Sequence, residues 1–138
     1  MRLVLFLTAL VLTACATTAL QSVAIPYHFV DEPERGGFTI SYTNRVKRAL
    51  CLTPSQWPTQ AGFMNSPENR VFLRVGEQRY SMKEHNTGYC FGGCPVRVEP
   101  GATLTTFVSY ERFHLPLELA SAPKDLEFSP SAYPCPRD

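Results

Sequence analysis

The residues with the most chemistry open to them are four thiols, Cys51, Cys90, Cys94 and Cys135. Thiols can hold zinc, run redox exchange or cross-link. A structural zinc site usually draws on two close pairs of ligands, and only Cys90-x3-Cys94 is close here. Catalytic dithiols sit as Cys-x-x-Cys at a helix start, where the helix dipole lowers the thiol pKa. The stretch Gly88-Tyr89-Cys90-Phe91-Gly92-Gly93-Cys94-Pro95 has one spacer residue too many and no helical pattern after it. Disulfides are the expected use, and four cysteines allow three connectivities. The preferred set is Cys90–Cys94 with Cys51–Cys135. The glycines between the first pair let the chain curl, and the second bridge would staple Ser129 to Pro136 onto an early strand. By loop entropy the long bridge is worth about 4–5 kcal/mol and the short one about 2. Cys51–Cys90 with Cys94–Cys135 stays open.

Other chemistry finds little support. His28, His85 and His114 fall in separate segments without the spacing of two or four that puts ligands on one face of a strand or helix. Ser55, Ser109 and Ser121 have no Gly-x-Ser-x-Gly context. The acidic group Asp31, Glu32 and Glu34 lacks the alternating oxygen ligands that calcium requires, and is read as a solvated loop before Gly36-Gly37. No cofactor, no metal and no small-molecule substrate is expected, and the chain is not read as an enzyme.

A fifth cysteine stands apart. Met1-Arg2 is a short positive start, and Leu3 to Leu12 is a ten-residue apolar run broken only by Thr8. A membrane span needs roughly 20 apolar residues, so this run fits a cleaved signal segment. Leu12-Thr13-Ala14-Cys15 resembles the lipobox of bacterial lipoproteins. The resemblance implies cleavage before Cys15, lipidation of Cys15 by acyl chains, and, from Ala16 following the cysteine in a diderm host, passage to the outer membrane. Five cysteines is an odd number for an exported chain, and an acylated Cys15 leaves four to pair in an oxidising compartment. Stable attachment takes more than one chain, which the implied three supply.

Residues 1–14 are then signal peptide, 15–24 a lipidated tether, and 25–138 one domain. With Arg2 gone, 12 basic residues face 12 acidic ones. That balance gives no net field for nucleic acid or for an anionic lipid surface, and a general polyanion binder is not expected.

Twelve prolines spread from Pro26 to Pro136 leave no window for a long helix. What positions the thiols must be short strands: Phe38 to Tyr42, Ala49 to Thr53, Val71 to Val75, Arg79 to Met82, Val96 to Val98, Thr103 to Phe113 and Leu126 to Phe128. Phe38, Ile40 and Tyr42 alternate with polar residues, as a half-buried strand requires. Val75-Gly76-Glu77-Gln78-Arg79 reads as a tight hairpin, and Pro116 to Ala122 as one helical turn. Strands this short and frequent point to an antiparallel β-sandwich, with a small barrel left open. The passage Val96-x-x-x-Pro100-Gly101-x-Thr103-Leu104 resembles the turn feeding a late strand in small immunoglobulin-like bacterial envelope domains.

Two surface groups invite a partner. Arg45, Lys47 and Arg48 suit an acidic partner or lipid A phosphates. The plainer reading, preferred from sequence, is a hairpin whose charges keep sheet edges apart. Trp57, flanked by Pro54 and Pro58, would be a lid over the core, or, if exposed, a binding hot spot. The expectation is an outer-membrane lipoprotein facing the periplasm, held by its lipid anchor and binding another envelope protein. The alternative is an inhibitor or immunity protein against a hydrolase, presenting a rigid loop at Pro54 to Phe63 or Tyr89 to Pro95.

Overall fold

The alternation around Phe38 builds the central strand of one sheet. In the computed structural model, which describes residues 21–65, 70–85 and 95–136, this strand is β3 (Gly37–Thr43). It turns Phe38, Ile40 and Tyr42 inward, each almost wholly buried. On one side it pairs with β2 (His28–Glu32) and on the other with β8 (Thr103–Ser109), both antiparallel. A Cβ at Gly37 would come within 2.4 Å of the Val108 carbonyl oxygen and the Phe107 ring, so only glycine allows β3 and β8 to approach this closely.

A second antiparallel sheet runs β1-β10-β4-β7, from Val23–Ala24, Ser131–Pro134, Leu50–Leu52 and Val96–Val98. A third has β5 (Val71–Val75) between β6 (Gln78–Ser81) and β9 (Asp125–Phe128). Gly76, at φ 58°, supplies the left-handed residue of the two-residue β5–β6 turn. Leu50, Leu52, Val71, Leu73, Val98, Val108 and Ala132 join the β3 residues in one buried core. Ring contacts Phe38–Phe113, Tyr42–Trp57 and Trp57–Phe128 run through it. The protein is an all-β antiparallel sandwich. Among the described residues no helix is long and apolar enough to cross a membrane.

A disulfide joins Cys51, in the middle of β4, to Cys135, just past β10, with the Cα atoms 5.0 Å apart. The two strands already pair, with Tyr133 opposite Cys51 and Pro134 opposite Leu50, so the bridge locks neighbours. The pairing left open in the sequence, Cys51–Cys90 with Cys94–Cys135, is excluded by it. Cys15, Cys90 and Cys94 lie outside the described residues, as does most of the Tyr89 to Pro95 loop.

Three expectations change. Asp31 and Glu32 belong to strand β2, not to a loop. The run from Thr103 to Phe113 is not one strand. Ser109 accepts a hydrogen bond from the Glu111 amide and starts a 3₁₀ turn at Tyr110–Arg112, after which Phe113 bridges to Met82. Val23 and Ala24, at the end of the expected tether, already pair with β10.

Candidate functional site

The register of the strands gives the sandwich two distinguishable ends. At one, the β2–β3 hairpin turns through Pro33–Arg35 and Gly36, beside Ser109 and the Tyr110–Arg112 turn. At the other, β3 ends at Thr43 and the chain passes through Asn44 to Ala49 into β4. Six residue steps along β3 separate Gly37 from Thr43, about 20 Å at strand rise.

The hairpin end contains the most closely knit polar group. The Lys124 side chain is fully buried, and its ammonium donates to the carbonyls of Ala120 (2.6 Å) and Ala122 (2.7 Å). It stands 3.6 Å from an Asp31 carboxylate oxygen and over the Tyr110 ring at 4.3 Å. The Tyr110 hydroxyl donates to the other Asp31 oxygen. Burial, with the Asp31 carboxylate beside it, pushes the Tyr110 phenol well above its usual pKa. The neighbouring Glu32 is held below the usual carboxylate range by hydrogen bonds from Thr39 and Arg35. Lysine has three donors; two go to these carbonyls, and the ammonium also faces the Asp31 carboxylate and the Tyr110 ring. The arrangement is chemically quiet: a satisfied ammonium carries no free electron pair for attack.

Next to this group lies an open recess of about 300 Å³ lined by Gly36, Tyr110, Leu115, Pro116, Leu117 and Ala120, among others. Leu117 opens the 3₁₀ turn Leu117–Leu119 and is 90% exposed, far more than any other large apolar side chain described.

At the opposite end, Asn44 is completely buried and organises the loop that follows. Its amide nitrogen donates to the Arg48 carbonyl (2.8 Å) and the Val98 carbonyl (2.9 Å), and its side-chain oxygen accepts from the Val46 amide (3.1 Å). Arg45, Val46, Lys47 and Arg48 are all exposed on this frame. The sequence reading of a hairpin guarding a sheet edge does not hold. The loop crosses from β3 to β4, and each is an interior strand of its sheet.

The remaining candidates disperse. Trp57 is 2% exposed and its indole N–H donates to the Thr106 hydroxyl at 3.0 Å, so it closes the core and offers no binding platform. The Pro54 to Phe63 loop folds inward with Trp57 and Pro58 and does not project. His85 stacks on Phe63 at 3.8 Å, with the Arg112 guanidinium 3.7 Å from the same ring. Groups that close must occupy opposite ring faces. His28 and His114 lie exposed elsewhere, and among the described residues no group of histidines, cysteines and carboxylates could hold a metal ion. Ser55 bonds the nearby Thr53 hydroxyl, Ser109 donates across the sheet to the Gly36 carbonyl, and Ser121 is exposed.

What sequence reasoning missed is Lys124, whose partner Asp31 lies 93 positions earlier. No local pattern marks such a pair. Leu117 was legible only as part of a helical turn. Compared with protein-family models, with curated proteins and with solved structures, the chain matches none.

Proposed function

We propose that this protein is an outer-membrane lipoprotein of the diderm envelope, anchored through acylated Cys15 and facing the periplasm. In this reading residues 1–14 are a cleaved signal peptide, and the sandwich is a non-enzymatic module that binds another envelope protein. Kinship with immunoglobulin-like envelope domains is part of the proposal and rests on the Pro100-Gly101 turn feeding β8. With Cys51 and Cys135 joined, Cys90 and Cys94 are left to pair with each other in the oxidising compartment.

One observation carries the partner-binding reading: the exposed Leu117 beside an apolar recess, at the end of the sandwich remote from the Asn44 loop. A large apolar side chain held out on a rigid turn gains free energy when a partner covers it. Side chains there come from turns fixed by strands on both sides, a common way to present an interaction surface. Fold alone does not name the partner.

A photo-crosslinking residue placed at position 117, in cells carrying the full chain, tests this. The expected result is a discrete adduct with one envelope protein, absent when the same residue replaces Gln78, exposed at the start of β6. No adduct at 117, or the same adducts from both positions, would dismiss the interaction surface.

A further inference from the structure

We propose that the loop Arg45-Val46-Lys47-Arg48 is a membrane-contact element that binds the phosphates of anionic phospholipids in the leaflet holding the anchor. The inference rests on the lipid-anchor reading of Cys15 and adds to it a second, electrostatic attachment.

The register places this loop where the chain meets its tether. Val23 lies opposite Ala132 and Ala24 opposite Ser131. Followed backward from Val23, the chain therefore runs beside β10 toward Pro134. Pro134 in turn lies opposite Leu50, the residue at which the basic loop delivers the chain into β4. Gln21 and the loop thus share one end of the same sheet, two strand spacings or about 10 Å apart. Six positions separate Gln21 from Cys15, a reach of at most about 20 Å. An acylated Cys15 would keep the loop within reach of the bilayer surface.

The charges at that end are available. Among the described residues, Arg45, Lys47 and Arg48 form no ion pair with a carboxylate. Glu99, in the turn that packs on Asn44, is held by Arg97 at 2.6 Å. Asp31 and Glu32, the carboxylates of the β2-β3-β8 sheet, lie at the end of it away from the loop and are engaged there. Summed charge on the mature chain is zero, so the cationic face comes from placement and not composition. Val46, 45% exposed between the cations, adds an apolar side chain that can enter the headgroup layer. Beside Arg45, the His28, Ser41 and Thr43 side chains line a recess of about 260 Å³ that can seat a phosphate. Buried Asn44 holds the loop in shape beforehand, so less ordering is required on binding.

The test uses the mature chain from residue 15 without acyl groups, as the Cys15→Ser variant; every described element lies within it. Cosedimentation is measured with vesicles of phosphatidylcholine alone and with 30% phosphatidylglycerol. The expected result is preferential binding to the anionic vesicles, weakening as salt rises. Each cation near an anionic surface contributes roughly fivefold, so Arg45→Gln/Lys47→Gln/Arg48→Gln should lose on the order of 100-fold at an unchanged melting temperature. Arg70→Gln/Arg74→Gln/Arg79→Gln, which removes three cations elsewhere, should bind as the parent does. Equal binding to both vesicle types, or equal loss in both triple variants, would overturn the proposal. So would displacement from the anionic vesicles by inorganic phosphate at constant ionic strength, which would indicate a free-anion site. Radiolabelled palmitate uptake at Cys15 in cells reports on the anchor separately, so failure of either reading is visible by itself.

Discussion

The two ends of the sandwich treat charge and cross-linking in opposite ways. At the hairpin end, Asp31, Glu32, Arg35 and Lys124 are spent on one another and on Thr39, Tyr110 and backbone carbonyls. At the Asn44 end, Arg45, Lys47 and Arg48 are left facing solvent, while the backbone beneath them is fixed by Asn44 and, within the adjoining strands, by a covalent bridge. Charges that close on each other hold a fold together. Charges propped outward on a stiff frame are placed for something outside it. Counting charged residues would not distinguish the two.

The largest test of this contrast is removal of the bridge. Replacing Cys51 and Cys135 together by alanine should cost about 4 kcal/mol, from the entropy of the long loop the bridge closes. At about 4 °C per kcal/mol for a domain of this size, that lowers the melting temperature by about 15 °C. A shift under about 5 °C in calorimetry would mean that strand pairing alone secures the Asn44 end.

Asp31→Ala at the other end should cost about 3 kcal/mol, since it leaves the buried Lys124 ammonium facing only two carbonyls and takes the acceptor from Tyr110. Asp31 is partly exposed, which keeps the figure below that for a wholly buried pair. Urea unfolding checks it, and a loss within about 0.5 kcal/mol would place this group among ordinary surface pairs.

The smallest effect is in alkali. Tyr110, Tyr27 and Tyr42 all have phenols raised by burial above the usual value of 10. Above about pH 10 the unfolded chain loses these protons before the folded one, so stability is intact below that pH and declines as pH rises toward the folded values. Melting temperatures between pH 9 and 11 should fall, and Tyr110→Phe should flatten the fall. An unchanged slope in the variant would remove Tyr110 from the account.

How much of this could be read from residues in order depends on the range of the interaction. The β3 alternation, the Gly76 turn and the breaks at Gly36-Gly37 and Pro100-Gly101 are local, and each shows in the sequence as it does in the fold. Strand β2 was missed because its inward positions include Asp31, an acid that only a lysine far along the chain makes tolerable there. Strand β10 was missed because Pro134 reads as a breaker, though only Ala132 in that strand is buried outright. The break at Ser109 is a local hydroxyl-to-amide bond that β propensity does not anticipate. Trp57 was legible as a core lid, whereas the freedom of Arg45, Lys47 and Arg48 from edge duty required knowing which strands are interior.

Because β1 and β10 are neighbours running in opposite directions, with Cys135 close behind β10, the first and last described segments both leave from one pole of the domain. Among the described residues the other pole is built from the internal turns Pro33–Gly36 and Tyr110–Arg112. On the proposed attachment through Cys15, a fluorescent reporter fused after the last residue would therefore crowd the lipid anchor.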